Sequence, residues 1–366
     1  IFDDKVDVKE HAVAYYKILA DEPVPMYIKI QKRDADTGET VNIAGAKFKI
    51  WDCQNEEWIT QMVSPSGEYI DEFVTNEEGY CITPAKLYPG SYVIYETDVP
   101  EGYYFEDGLR IPEDESHLGD PEYGGKEFVI DKYAMVGQGV YPYPGMQLDD
   151  LILEIDINDR PLVGQLEIHK TGEMLTGAST ALETVKDGEK VVHSEEKATP
   201  IYTLQGLQGV KYEIYAAEDI KSPDGRVTYV TKGTLVDTIT TEEDGYATTE
   251  ELYLGEYEIR EVDAPKGYTV NDNIPNVTLT NDNPYNRVEI TKKEYTNDRQ
   301  KLGLTFEKVF EDIEYTYGED IEQKALFGIF AKEPIYNYQG NEIIKRNMLL
   351  DLVWVDENGD VTSEVD

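Results

Sequence analysis

Two short stretches of the sequence decide the fold: Tyr92–Tyr103, which reads YVIYETDVPEGY, and Tyr257–Tyr268, which reads YEIREVDAPKGY. They share Tyr, Ile, Glu, Asp, Pro, Gly and Tyr in one register. Side chains alternate between the two faces of a strand, so the leading Tyr, the Ile and the Glu of each stretch point the same way. The pattern therefore predicts two strands that each carry a carboxylate on the apolar face, Glu96 and Glu261.

A repeat organises the chain around these stretches. Three strand-like segments end in a lysine that shares its face with apolar residues, and these lysines, Lys32, Lys170 and Lys308, are spaced 138 residues apart. Each of the first two is followed, in the same order, by a second apolar strand, an acidic turn with Gly-Tyr, and the glutamate strand. Repetition at a fixed period indicates a tandem array, and this period suits one β-sandwich per unit.

Short runs rich in Tyr, Val, Ile and Thr, separated by Gly and Pro turns, predict strands along the whole chain. The expected fold class is all-β, a tandem array of Greek-key β-sandwiches. The predicted units are residues 1–24, the end of a preceding module or an N-terminal extension; 25–161, a domain with an insertion near 104–150; 162–300, a domain with an insertion near 172–205; and 301–366, an incomplete third domain.

The charge of the chain restricts its partners. Among 366 residues, 75 are acidic and 33 are basic, which gives a net charge of −42. Nucleic acids and anionic membranes repel such a polyanion, so neither is an expected partner. No run of 18 apolar residues is present, and the acidic start IFDDKVDV is not a secretion signal. If the protein is exported, we expect this sequence to be a fragment without its targeting ends.

The three lysines raise the same question as the two glutamates, because an unpaired charge on a core face is very costly. One interpretation is a buried Lys–Glu ion pair, or a lysine that reaches back to water along its aliphatic stem. The other interpretation adds a third polar group near the end of each unit, the amide of Asn158 or Asn297. The residues alone leave both interpretations open.

In the second interpretation the three groups react with one another. Burial lowers the pKa of a lysine and raises that of a glutamate, so the amine becomes a neutral nucleophile and the carboxyl a neutral acid. The acid hydrogen-bonds to the amide and moves protons while the amine attacks. Ammonia leaves, and an amide bond joins the first strand of the unit to its last. Because the groups are held in contact, no external enzyme is needed.

The segments IKIQKRD, AGAKFKI and LYPGSYVIYETDVPEGYY, with an acidic turn and a terminal Asn, resemble the Cna-B (SpaA-type) domain of Gram-positive surface proteins. The glutamate stretch resembles the E-box of pilins from sortase-assembled pili. The resemblance covers both full units and the opening strands of the third, and it implies a prealbumin-like sandwich. It also implies self-formed isopeptide bonds from Lys32 to Asn158 with Glu96 as proton shuttle, and from Lys170 to Asn297 with Glu261 as proton shuttle.

The resemblance further implies a mechanical role, as a stalk or shaft of an extracellular, wall-associated protein of the adhesin or pilin type. A covalent link between first and last strands would keep a domain from extending under tension. Each bond forms once, so the chain is not expected to be an enzyme. The alternative is a ligand-binding adhesin whose insertions bind a host glycan or matrix protein. Other pilus or wall subunits are also candidate partners.

Two features depart from the family pattern. Strict alternation in ILEIDIND places Asn158 on the face opposite the apolar residues, which leaves Asp156 as an alternative acceptor unless a bulge re-aims the asparagine. Lys308 is followed by no glutamate strand and no acceptor strand in this sequence, so no bond is expected there from this chain alone.

The remaining candidate sites carry weaker signals. Cys53 and Cys81 are too few for a disulfide framework; they could pair in an oxidising compartment, but two free thiols are the favoured interpretation. DADTGE at Asp34–Glu39 resembles the start of a calcium loop but lacks the invariant glycine position and the terminal glutamate of an EF-hand. The histidines have no ligand spacing. GVYPYPG at Gly139–Gly145 resembles a pilin motif, with Tyr143 where the reactive lysine should be. We expect no metal and no cofactor.

Overall fold

A computed structural model describes residues 25–130, 151–187, 189–307, 326–337, 339–354 and 360–365. The secondary structure of these residues is β, apart from two short 3-10 helices at Asp107–Leu109 and Glu115–His117. The predicted all-β class is therefore confirmed. Residues 1–24, Lys308 and the GVYPYPG stretch lie outside the described residues.

The strands fall into three groups along the chain. The first group is β1 (Tyr27–Asp34), β2 (Lys47–Asp52), β3 (Glu57–Trp58), β4 (Gln61–Val63), β5 (Glu68–Ile70), β6 (Phe73–Val74), β7 (Tyr80–Ile82), β8 (Gly90–Asp98), β9 (Lys126–Ile130) and β10 (Ile152–Asp159). The second is β11 (Val163–Asp187), β12 (Lys190–Gly206), β13 (Lys211–Ala216), β14 (Ile220–Lys221), β15 (Thr228–Val230), β16 (Leu235–Thr240), β17 (Tyr246–Thr248), β18 (Leu252–Tyr253), β19 (Gly255–Asp263), β20 (Val277–Leu279) and β21 (Val288–Asn297). The third is β22 (Leu302–Glu307), β23 (Leu326–Phe330), β24 (Ile335–Tyr336), β25 (Glu342–Ile344), β26 (Leu349–Trp354) and β27 (Asp360–Val365).

Strands β1–β10 form the N-terminal sandwich. One sheet has the order β10–β1–β7, and the other has the order β3–β2–β8–β9 with β6 beside β2. The first and last strands, β1 and β10, are parallel neighbours. Alternate residues of β1, β2, β8 and β10 point between the sheets and form the core, which includes Ile28, Ile30, Phe48, Ile50, Tyr92, Ile94, Ile155 and Ile157. Part of the expected insertion near 104–150 joins the fold, because β9 pairs with β8.

Strands β11–β21 form the central sandwich with the same plan. Strand β11 lies between its parallel neighbour β21 and antiparallel β17. The facing sheet has the order β16–β13–β19–β20. Its core again comes from alternate residues of the equivalent strands, including Leu166, Ile168, Tyr212, Ile214, Tyr257 and Ile259. The repeat in the sequence is therefore a repeat in the fold.

The charged insertion near 172–205 is an arm of two antiparallel strands. Strand β11 continues beyond the sandwich and pairs with β12 from Thr171↔Gly206 to Asp187↔Lys190. A strand pair of this length extends roughly 50 Å. The arm packs against the third group of strands, where Lys197 Nζ lies 3.1 Å from Asp351 Oδ1. Ala198 of β12 is buried there with Ala331 and Ile344.

The third group repeats part of the plan. Strand β22 pairs antiparallel with β27, as β1 pairs with β7, and β23 pairs with β26. Among the described residues of the chain, no helix is long and apolar enough to cross a membrane.

The N-terminal and central sandwiches meet at a polar junction built around Asp34, at the end of β1. Its Oδ2 accepts hydrogen bonds from Tyr103, at 3.1 Å, and from Tyr229 of the central sandwich. Nearby, the Tyr253 hydroxyl donates to Asp36 at 3.0 Å, and the backbone N–H of Asn42 donates to Asp224 at 3.1 Å. A buried carboxylate that accepts several hydrogen bonds fixes the groups around it, so the two sandwiches are joined by directed contacts.

The two cysteines are free thiols, so the disulfide that the sequence allowed is not formed. Cys81 lies in β7 opposite Ile30, whereas Cys53 follows β2 in the other sheet. Burial raises the pKa of the Cys81 thiol to about 12, which makes it a poor nucleophile.

Candidate cross-linking sites

Lys32 and Glu96 meet in the core of the N-terminal sandwich. They lie on β1 and β8, in facing sheets, and both side chains are fully buried. Lys32 Nζ is 2.7 Å from Glu96 Oε1 and 5.4 Å from the ring centroid of Phe48. Because both residues occupy inward-facing positions of their strands, the predicted nucleophile and the predicted acid are in direct contact within an apolar enclosure.

The third member of this site is Asp159. Its Oδ1 accepts a hydrogen bond from Lys32 Nζ, and the residue is fully buried. Asn158 is exposed on the other face of β10. Asp156 is half-buried and forms an ion pair with Arg33 outside the core, at 2.8 Å. The structure therefore corrects the expected placement: Asp159, and not Asn158 or its alternative Asp156, lies beside Lys32.

The reason for the correction is the regular pairing of β10. It runs in continuous parallel register with β1, from Tyr27↔Ile152 to Asp34↔Asp159, without a bulge. Alternation therefore continues to the last residue of the strand, and Asp159 shares the inner face with Ile157. A bulge was the only way to turn Asn158 inward, and none is present in this strand pair.

Burial controls the protonation of the first site. Desolvation raises the pKa of the Glu96 carboxyl to about 8, against the opposing effect of the Lys32 charge. Desolvation likewise raises the pKa of Asp159 to about 6. Glu96 Oε2 and Asp159 Oδ2 are buried with no hydrogen-bond partner among the described residues. Burial thus makes the neutral forms of both acids more accessible than they are in water, as nucleophilic attack on Asp159 would require.

The structure also brings together Lys170, Glu261 and Asn297, the second set of residues singled out from the sequence. Lys170 lies on β11 and Glu261 on β19, both with fully buried side chains, and their Nζ and Oε2 atoms are 2.9 Å apart. The other oxygen, Glu261 Oε1, accepts a hydrogen bond of 2.5 Å from Asn297 Nδ2. Glutamate therefore bridges the amine and the amide, with one carboxylate oxygen on each.

Desolvation also acts on the second site, where it lowers the pKa of Lys170. A lysine with a lowered pKa loses its proton more readily and becomes a nucleophile. Asn297 is buried, and its Oδ1 has no hydrogen-bond partner within the described part of the chain. The amide carbonyl is therefore free to accept a new hydrogen bond during a reaction.

The two sites are equivalent in register. Asp159 pairs with Asp34 across β1 and β10, and Asn297 pairs with Gly172 across β11 and β21. Each acceptor thus lies opposite the residue two positions after its lysine. The sequence contains a signal for this, because Asp159 and Asn297 are separated by the same 138 residues as the lysines. The shared motif NDR begins at Asn158 in the first unit and at Asn297 in the second, one residue out of step with the lysines. Aligning the units on this motif therefore selects Asn158 instead of Asp159.

The Pro-x-Gly-Tyr tail of each glutamate stretch closes the site from one end. Tyr103 and Tyr268 form isolated bridges to Pro161 and Arg299, just beyond the acceptors. Tyr268 also donates a hydrogen bond of 2.9 Å to the Glu173 carbonyl. The tail thereby holds the end of the last strand beside the first strand.

Other predicted positions do not add a site. Asp34 of the DADTGE loop is occupied by backbone and side-chain donors of its own turn, including the Thr37 amide at 2.9 Å. In the described residues, no group of three or more His, Cys, Asp or Glu could hold a metal ion. Lys308 lies outside the described residues, so its role stays a prediction.

A family model for the SpaA prealbumin-like fold domain matches residues 26–114 and 199–294, together just over half of the chain. The chain therefore belongs to this family, as the resemblance of its sequence motifs implied. The two matches contain both glutamate stretches and Lys32. No curated protein matches the chain.

Solved structures also match the chain, at low sequence identity. The TIE protein of Bacillus anthracis is 17% identical, with a TM-score of 0.45, over 93% of this chain and 43% of that one. The minor pilin of Streptococcus agalactiae is 15% identical, with a TM-score of 0.23, over 78% and 100%. The shaft pilin of Lactobacillus rhamnosus GG is 12% identical, with a TM-score of 0.21, over 76% and 99%. The chain spans less than half of the first of these proteins.

Proposed function

We propose that the chain is a load-bearing segment of an extracellular, wall-associated protein of the pilin type. Residues 25–161 and 162–300 would be two successive modules, each locked by a self-formed amide bond, and 301–366 the start of a third. One observation carries the proposal: in each sandwich a lysine of the first strand is buried against a glutamate of the facing sheet, and an acceptor on the parallel last strand hydrogen-bonds to one of the two.

At the second site the bond would form with loss of ammonia. Neutral Lys170 Nζ attacks Asn297 Cγ, and Glu261 takes up the proton that Nζ loses and passes it to Nδ2. The C–Nδ2 bond then breaks and ammonia leaves. The hydrogen bonds of Glu261 to both nitrogen atoms support this relay.

At the first site the leaving group would be water. Asp159 must be protonated, because a carboxylate anion resists attack by an amine, and burial favours that form. Lys32 Nζ attacks Cγ, Glu96 moves the protons, and the C–O bond breaks. Both reactions occur once per site and change the chain itself, so the protein is not an enzyme in this proposal.

The position of the bonds suits a mechanical role. Tension that enters β1 would cross from Lys32 directly to Asp159, at the end of β10. Residues 33–158 would then carry no load, and residues 171–296 would be bypassed in the same way by the second bond. The hydrogen-bonded junction at Asp34 supports a stiff connection between the two modules. The arm of β11 and β12 packs on the third group of strands and supports a structural role for that insertion.

Intact mass spectrometry of the folded and then denatured chain tests the proposal. We expect a deficit of one water and one ammonia, about 35 Da in total. The variant Glu96→Gln should restore the water and Glu261→Gln the ammonia, because glutamine cannot shuttle protons. A wild-type mass equal to that of the unmodified sequence would refute both bonds.

A further inference from the structure

The two sites differ in the residue that faces the glutamate from the neighbouring strand. On β2, Phe48 pairs with Glu96, and at the equivalent place on β13, Tyr212 pairs with Glu261. Both aromatic residues are fully buried. The second site therefore contains the phenol hydroxyl of Tyr212, whereas Phe48 at the first site has no polar atom in its side chain.

This hydroxyl lacks a hydrogen-bond partner. Tyr212 Oη is buried and makes no hydrogen bond to any described residue, and the same holds for Asn297 Oδ1. Burial first, and then the charge of the Glu261 carboxylate and its proximity to the hydroxyl, raise the pKa of Tyr212, so the phenol keeps its proton and lies beside Glu261. A buried donor and a buried acceptor are thus both unsatisfied around one glutamate, although such groups are normally paired.

We propose that the Tyr212 hydroxyl is a hydrogen-bond donor that stabilises the charge formed when Lys170 attacks the Asn297 amide. The proposal rests on the bond-forming function described above. As Nζ bonds to Cγ, the C=O electron pair moves onto Oδ1, and the phenol donates to that oxygen. The pair returns as ammonia leaves, and Tyr212 keeps its proton throughout. Donors placed where charge develops are a main source of rate in acyl transfer.

The difference between the acceptors explains why only one site needs this donor. An amide is a poorer electrophile than a protonated carboxyl, and ammonia is a poorer leaving group than water. The site with the amide has Tyr212, and the site with the carboxyl has Phe48. We infer that the aromatic residue on the second strand is matched to the acceptor.

The test is the rate of ammonia loss in the full chain, obtained unfolded in denaturant, refolded by dilution and sampled by intact mass. Tyr212→Phe should slow ammonia loss on the order of 10²-fold while water loss at the first site is unchanged. The matched control is Tyr295→Phe, which removes another buried hydroxyl without a partner, on the strand of Asn297. Its pKa is raised by burial alone, with no contribution from Glu261, so we expect a much smaller effect.

Acceptor exchange separates a chemical role from a packing role. In an Asn297→Asp chain, Tyr212→Phe should have little effect on the rate of water loss, because the better leaving group needs no phenol. Conversely, Phe48→Tyr should accelerate ammonia loss in an Asp159→Asn chain, which keeps the test valid if Tyr212→Phe fails to fold.

Three results would overturn the role of Tyr212: an unchanged rate in Tyr212→Phe, an equal slowing in Tyr295→Phe, or an equal slowing in the Asn297→Asp chain. If the wild-type chain loses no ammonia at all, the proposed bond fails instead. The two failures are therefore distinguishable.

Discussion

The two cross-linking sites use one backbone plan and differ at two side chains. Both place a lysine on the first strand, a glutamate in the facing sheet, and an acceptor on a parallel last strand. The N-terminal site has Asp159 and Phe48, and the central site has Asn297 and Tyr212 at the same positions. The fold therefore fixes where the reacting groups meet, whereas the side chains determine the leaving group and whether a hydrogen-bond donor assists its departure.

The largest expected effect is on resistance to force. In single-molecule stretching, the two bonds should prevent the wild-type sandwiches from unfolding and lengthening under force. In Glu96→Gln, residues 33–158 should unfold and add on the order of 400 Å of chain length. Glu261→Gln should release a similar length from the central sandwich. By the loop-closure argument used for disulfides, each lost bond should also lower the free energy of unfolding by about 4–5 kcal/mol. Identical extension of wild type and both variants would contradict the mechanical role.

The identity of the first acceptor gives the next effect. Asp159→Ala should abolish water loss at the N-terminal site and leave ammonia loss at the central site unchanged. Asn158→Ala, the matched neighbour, should react fully and change the free energy of unfolding by less than about 0.5 kcal/mol, because the residue is exposed. Asp159→Asn should convert the lost water into lost ammonia. Loss of the bond in Asn158→Ala would restore the original prediction from the sequence.

The pH dependence of the two reactions should differ. Burial raises the pKa of Asp159 to about 6, so its reactive neutral form is present below that pH and is depleted as the pH rises above it. The attacking amine of Lys32 must also be neutral, so a rise in pH depletes one reactant while it supplies the other, and the rate of water loss should rise with pH below about 6 and level off above it. Asn297 does not titrate, so the rate of ammonia loss should show no change of slope near pH 6. Refolding at a series of pH values, followed by intact mass, measures both rates in one chain, and parallel profiles would contradict the assignment.

The smallest effect is expected at the junction. Tyr229→Phe removes one donor from the buried Asp34 carboxylate, which should cost about 1.5–3 kcal/mol in the docking of the two sandwiches. Tyr253→Phe, which removes a bond to the more exposed Asp36, should cost less. Small-angle scattering of both variants would show whether the junction loosens, while the intact mass of each should stay that of wild type. Equal scattering curves for Tyr229→Phe and wild type would argue against a stiff junction.

Much of the fold could be predicted because it follows from local periodicity. Alternation within one strand places Lys32 and Glu96 on core faces, and it does the same for Lys170 and Glu261. The fixed spacing of the lysines predicts the tandem organisation. The long arm could not be predicted, because the charged residues after Lys170 lack the apolar alternation of a sandwich strand, although β11 continues through them.

The position of the acceptor on β10 could not be predicted from alternation alone. Alternation already disfavoured Asn158, but the choice of its neighbour depended on pairing between segments 127 residues apart. That pairing is a property of two strands together, and a shared motif offset by one residue concealed it.

The all-β class, the repeat and the burial of a lysine and a glutamate in each unit follow from side-chain alternation and spacing along the chain. The contacts between distant segments do not: that Asp159 rather than Asn158 meets Lys32, that Tyr212 faces Glu261, and that Asp34 joins two sandwiches depend on the folded molecule. The physical reason is that the register between strands distant in sequence is set by core packing and hydrogen bonding across the sheet, which act only once the chain has folded.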